Sequence, residues 1–201
     1  MTDTDSHSRK PHHNIIHRYF EIVNMYPKIT DAKLAKMIEE FTMNATPDQL
    51  LRMQKMVIAE GADYMADDPR WQEILDRLDG IRIGMAIGDE YRTTVTLTDR
   101  HFNVGKGIDN RSIPVLSVAS RKDYVDALLR RKDLVWMVIS SKLKASHKVK
   151  LARWGLTFIE HLKDDELFND LISHQSSAEE KILAAIREMN WKAREPADNS
   201  H

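Results

Sequence analysis

Cysteine is absent from the 201 residues, which excludes disulfides, cysteine-ligated zinc, iron–sulfur clusters and thiol catalysis. Long apolar runs are also missing. No stretch approaches the roughly 18 residues of a membrane span, and residues 1–13 (MTDTDSHSRKPHH) lack the apolar centre of a secretory signal. A cytoplasmic location is expected. Charge of either sign is nearly balanced, with 30 basic against 31 acidic side chains, so nothing draws the whole chain to nucleic acid, and nucleic acid is not an expected partner. The sequence also lacks a P-loop, a dinucleotide-binding glycine fingerprint, a nucleophile elbow and a paired-histidine zinc motif. Neither cofactor nor metal is expected. Gly105-Lys106-Gly107 reads as a β-bulge. His7, His12, His13 and His17 read as part of a flexible tail. Ser140 and Ser141 near His147 have no evident acid partner or oxyanion donors, so no catalytic residue and no enzymatic activity is expected.

What remains is a globular composition, 42% hydrophobic and 30% charged, in a chain long enough to bury a core. Glycine is scarce and localised: five of the seven lie between Gly80 and Gly107. Before them, apolar residues recur at helical spacing around Ile15–Val23, Leu34–Phe41, Leu50–Val57 and Trp71–Leu78. Thr46, Pro47 and Gln49 make a capping box, Thr30 or Asp31 can cap the preceding helix, and Asp67-Asp68 ahead of Pro69 reads as another cap. Residues 14–79 are therefore expected to form a four-helix extension.

From Ile81 the period changes to two. Ile81, Ile83, Met85 and Ile87, then Tyr91, Thr93, Val95 and Leu97, then Phe102 and Val104, then residues 113–118 predict four strands of an antiparallel meander with one face buried. Pro114 suits an edge or a bulge. Ser120 with Asp123 opens a helix. Leu134–Ile139 is ambiguous between helix and strand, Lys142–Ala145 reads as a fifth strand, and a longer helix spans about 147–162. Asp164-Asp165-Glu166 favours another helix start, and Ser177 with Glu180 is expected to cap a final helix carrying Ile182, Leu183, Ile186 and Met189.

Charge is uneven along the chain. Residues 121–163 carry 11 basic and 4 acidic side chains, between acidic flanks. This block reads either as a solvated face neutralised by its neighbours or as a docking surface for an acidic partner, an anionic head group or a membrane. Within it, the apolar residues of helix 147–162 sweep roughly 220° of a helical wheel, about twice what packing on one sheet needs. Either protein covers the helix on two sides, or one side meets an apolar ligand.

The element order from about Gly80 to Leu162 resembles the sterol carrier protein 2 family. The segment Ser120-Arg-Lys-Asp-Tyr-Val-Asp-Ala-Leu-Leu129 looks like that family's helix after the fourth strand. Ser141-Lys142-Leu143-Lys144-Ala145 is similar to its Gly-Lys-Leu-Lys-Ile strand. Ser141 departs from the usual glycine, and Ala145-Ser146 from a larger apolar residue and a small turn residue. The resemblance implies an α+β fold, with a five-stranded mostly antiparallel sheet covered by helices. With the periodicity and caps read above, the expected division is a disordered tail (1–13), the helical extension (14–79), the resembling domain (80–163), C-terminal helices packed on it (164–194) and a second disordered tail (195–201).

It also implies non-catalytic binding or carriage of a lipid, fatty acyl, sterol or isoprenoid-quinone type of molecule, in an apolar cavity between strands 81–118 and helix 147–162. Met85, Phe102, Trp136, Met137, Leu143, Leu151, Trp154 and Phe158 are the lining candidates. Lys142, Lys144, Lys148, Lys150 and Arg153 are candidates for an anionic head group or a surface contact. The alternative is an accessory or structural subunit of a larger enzyme complex, docking through its helical extension. The expected partners are accordingly a hydrophobic small molecule, a protein or a second copy of the chain, and a transient membrane surface.

Overall fold

The computed structural model describes residues 29, 31–66, 68–108, 112–132 and 134–189. The helix expected around Ile15–Val23, the early histidines and both tails lie outside the described residues. Three helices precede the sheet: α1 (Ala32–Asn44), α2 (Pro47–Ala66) and α3 (Pro69–Arg77). Each begins where a local cap is available. Leu34 N–H donates to Asp31 Oδ1 (2.7 Å). Thr46 and Gln49 exchange the two bonds of a capping box (2.8 and 3.2 Å). Arg70 N–H donates to Asp68 Oδ1 (2.9 Å), with Pro69 in the first turn.

Strands β1 (Arg82–Ile87), β2 (Tyr91–Thr98) and β3 (His101–Lys106) then form the expected meander. At the β2–β3 turn, Asp99 and Arg100 both take positive φ (51° and 64°), the pair of conformations that a two-residue hairpin loop demands. Arg100 has no glycine's freedom. Its guanidinium is held by Asp76 of α3 (2.5 Å), which fixes the hairpin to that helix.

The meander stops at β3. Strand β4 (Val115–Val118) pairs in parallel with β1, and β5 (Leu143–Ala145) adds antiparallel to β4, giving the order β3-β2-β1-β4-β5. The expected fourth antiparallel strand is thus a crossover to the far side of β1, and the sheet is mixed. Alternation specifies which face of a strand is buried but not which neighbour it joins. Here Gly84 supplies the room: a Cβ at this position would lie 3.0 Å from Val115 and 3.1 Å from Ile108. The returning chain covers the outer face of β1, so Gly84 and Ala86 are buried along with Ile87 and β1 is enclosed on both sides. Pro114 stands immediately before β4, where its carbonyl accepts from Gly84 N–H (2.8 Å). Gly105 pairs in regular register with Thr94, so no bulge forms there. Gly107, at φ 88°, turns the chain away instead.

Beyond β4 come α4 (Arg121–Leu128), α5 (Leu134–Ile139), α6 (Lys148–His161) and α7 (Asp165–Glu188). The ambiguous run 134–139 is helical. The break expected at Ser177 is absent. One helix capped by Asp164 (Oδ1 to Leu167 N–H, 3.0 Å) runs through it, because the segment contains neither glycine nor proline and apolar residues at both of its ends have a core to join.

Cross-strand partners place Met85, Ile87, Tyr91, Thr93, Leu97, Phe102, Val118 and Leu143 on one face of the sheet. Two apolar clusters cover that face. At the end carrying Ile81 and Leu97, Trp71, Ile74 and Leu75 of α3 meet Leu162, Leu167 and Leu171. At the end carrying Ile87 and Tyr91, α1, the start of α2 and the far half of α7 converge around Phe41, Leu50 and Ile186.

Candidate ligand cavity

The second cluster does not fill its space. Of the 20 residues of α2, only Leu50 is fully buried. Met53, Gln54 and Ile58 are half-buried and line a cavity of about 260 Å³ between the helices and the sheet. Its floor is Met85, Ile87 and Tyr91. Its walls come from Ile38, Phe41 and Thr42 of α1, from α2, from Tyr124 and Leu128 of α4, and from Ile182 and Ile186 of α7. Val57, 42% exposed, belongs to the same lining and marks where it meets solvent. An apolar cavity of roughly 150 Å³ stays dry and takes up benzene. By proportion, 260 Å³ encloses about ten carbons.

Among the described residues no charged side chain lines this space; the polar ones that do are Thr42, Gln54, Tyr91 and Tyr124. Gln54 ties α2 to the sheet. Its Oε1 accepts from Tyr91 Oη (2.5 Å) and Thr93 Oγ1 (2.9 Å), and its Nε2 donates to Met85 Sδ (3.0 Å). Burial pushes the Tyr91 phenol up to about 12 and raises Tyr124 as well, because an apolar surrounding disfavours the phenolate. Both rings therefore keep their protons at neutral pH. Chemically the cavity can exclude water and offer a small number of hydrogen bonds.

Of the eight expected lining residues, Met85 lies in this wall. Leu143 packs at the edge of the same cluster. Phe102, Trp154 and Phe158 join the other cluster, where Phe158 meets Trp71 with ring centroids 5.6 Å apart. Met137 is fully buried, Leu151 is half-buried and Trp136 is 63% exposed; none of the three is in the cavity lining. The wide apolar arc of α6 has a different outcome from either expectation. One side, through Trp154, Phe158 and Ile159, is covered by protein. The other, with Val149 (86% exposed) and Leu156 (51%), faces solvent and lines a shallow surface groove with Ala152 and Arg153.

The basic block divides as well. Arg121 forms a two-bond pair with Glu90 (2.9 Å each) and also donates to the carbonyls of Thr42, Met43 and Ala45 at the end of α1. Arg131 meets Glu39 (2.6 Å), Lys132 meets Asp126, and Lys142 lies 3.3 Å from Asp123. Lys144, Lys148, Lys150 and Arg153 are exposed, with Lys150 over the Trp154 ring (5.1 Å). His147 Nδ1 contacts Ser146 Oγ (3.2 Å), and Ser140 Oγ donates to the Met137 carbonyl (3.3 Å). Among the described residues, no cluster of acidic or histidine side chains could hold a metal, and no helix is long and apolar enough to cross a membrane.

The residues that the sequence reading missed are Gln54, Phe41, Tyr91 and Tyr124, which form the wall and its hydrogen bonds. Gln54 is a polar residue at an otherwise apolar helical position, between Leu50–Met53 and Val57–Ile58. That is the one signal the sequence carried.

No protein-family model matches the chain, and no curated protein matches it. Among solved structures, a chain described as "UbiJ-SCP2 Ubiquinone synthesis protein" is similar with a TM-score of 0.37 and 12% sequence identity, over 49% of this chain and 85% of that one. A likeness of this degree does not bear on function.

Proposed function

We propose that the protein binds one hydrophobic small molecule in the cavity beneath α1 and α2 and holds it without transforming it. The observation that supports this reading is a space of about 260 Å³ with an uncharged, predominantly apolar wall and an opening at Val57. Enclosing about ten methylenes is worth roughly 8 kcal/mol at ~0.8 each. Association costs at least ~4 kcal/mol. The enclosed part alone thus supports roughly millimolar binding, and a longer ligand gains the rest along Val57 and Ile29 at the mouth. These dimensions favour the end of an acyl or prenyl chain over a rigid sterol nucleus, which exceeds the enclosed volume.

The test is extraction of the purified protein with organic solvent followed by mass spectrometry, with a titration of a neutral fluorescent probe, N-phenylnaphthylamine, alongside. A reproducible apolar extract or saturable probe binding supports the reading. An empty protein that also ignores the probe overturns it.

One observation favours a second reading, that of an accessory subunit. Helices α1 and α2 are largely occupied in covering the sheet. The exposed side of α6, together with Val138 and Ile139 of α5 (47% and 65% exposed), offers apolar surface beside the exposed Lys144, Lys148, Lys150 and Arg153. On this reading docking runs through α5 and α6, not through the helical extension, and co-purification of a stable partner lost on Val149→Glu would support it.

A further inference from the structure

Gln54 stands where α2 crosses the cavity floor, and its hydrogen-bonding capacity is unevenly used. A primary amide has two acceptor sites and two N–H donors. Both acceptor sites are occupied, by Tyr91 Oη and Thr93 Oγ1. The donors have one partner, the Met85 thioether, which is a weak acceptor. The orientation of the amide is fixed by the same neighbours: a thioether can accept but cannot donate, so the nitrogen must face Met85 and the oxygen the two hydroxyls. A donor that lacks a strong acceptor therefore sits in the wall of an uncharged cavity. Removing such a group from water without a good partner is costly, and a guest bearing an acceptor recovers that cost.

We propose that Gln54 Nε2 donates to an oxygen acceptor on the bound molecule, so that the cavity selects an apolar chain or ring carrying a ketone or ester carbonyl over a plain hydrocarbon of the same size. This inference rests on the ligand-binding reading above. It assigns Gln54 two roles: its oxygen anchors α2 to β2, and its nitrogen reads the ligand.

The test compares methyl hexyl ketone with octane, titrated into the full chain and followed by methyl chemical shifts in NMR, for the wild type, Gln54→Glu and Gln54→Met. At a pH where its carboxyl is ionised, the glutamate variant keeps acceptors for both hydroxyls and replaces the donor by a second acceptor. The methionine variant removes the polar group at nearly constant shape. The expected result is that the ratio of ketone to octane affinity falls roughly two- to tenfold in both variants, while octane still binds. Where Gln54→Met does not fold, Gln54→Glu decides alone. Binding of both probes with a ratio unchanged by substitution overturns the role of Gln54 and leaves the cavity reading standing. Failure of the wild type to bind either probe overturns both.

Discussion

Narrowing the cavity from its own wall should weaken binding at little cost in stability. Leu128 of α4 and Ile182 of α7 both line the space and are half-buried. Changing each to phenylalanine adds three carbons and removes two hydrogens per site, roughly 50 Å³ of side chain in all. Unfilled volume in a core costs about 24 cal/mol per Å³. The double variant therefore recovers up to about 1.2 kcal/mol, against about 1–3 kcal/mol of repacking strain. A net change between about zero and a loss of 2 kcal/mol is expected. It would be read from the urea midpoint at unchanged slope, with N-phenylnaphthylamine binding weakened. A double variant that is destabilised by several kcal/mol would show that the space is already filled. One that folds as the wild type does and binds the probe as tightly would show that the ligand lies elsewhere.

Other consequences follow from named contacts. Arg121→Ala removes the pair with Glu90 and three bonds to the end of α1, and a loss of about 2–4 kcal/mol in urea unfolding is expected. The Ser120 hydroxyl, then Lys142 and Lys132, hold the Asp123 carboxyl below its ordinary value. That contribution is present above the unfolded value of about 3.9 and disappears as pH falls through the lower folded value. Asp123→Asn should accordingly cost stability at pH near 7 and converge with the wild type in acid. At the alkaline end the sign reverses. Tyr91 is raised to about 12 by burial, so stability is full below the unfolded value of about 10 and declines as pH climbs toward 12. Absorbance at 295 nm, near the phenolate band, should show late-titrating phenols, with the amplitude of one lost in Tyr91→Phe. On the surface, Val149→Glu with Leu156→Glu should change stability by less than about 0.5 kcal/mol and leave probe binding intact; a large loss of stability would mean that this side of α6 is covered.

The parts of the fold that were legible are those decided within a few residues. Asp31, the Thr46–Gln49 box, Asp68 before Pro69, and Asp164 each sit beside the backbone group they cap, so the helix starts follow from adjacency. The strands were legible for the same reason, since alternation is a local property of the pleat. The partner of β4 was not. Its parallel seat beside β1 depends on Gly84 meeting Val115 and Ile108, a contact across some 30 residues that no local period encodes. The same holds for the cavity. The apolar surplus of α6 was visible, but a wheel reports how wide an apolar arc is and not what lies opposite. The void opens instead under α2, whose pattern reads as an ordinary amphipathic helix except for Gln54.

The wall of the cavity draws on residues as distant as Ile29 and Ile186. During synthesis, the floor strands and the first two covering helices emerge well before the far half of α7 exists, leaving Phe41, Tyr91 and their neighbours as an uncovered greasy trough. Docking of Ile182 and Ile186 is therefore a late step in the birth of the molecule. A guest already lying in the trough would be roofed over at that moment.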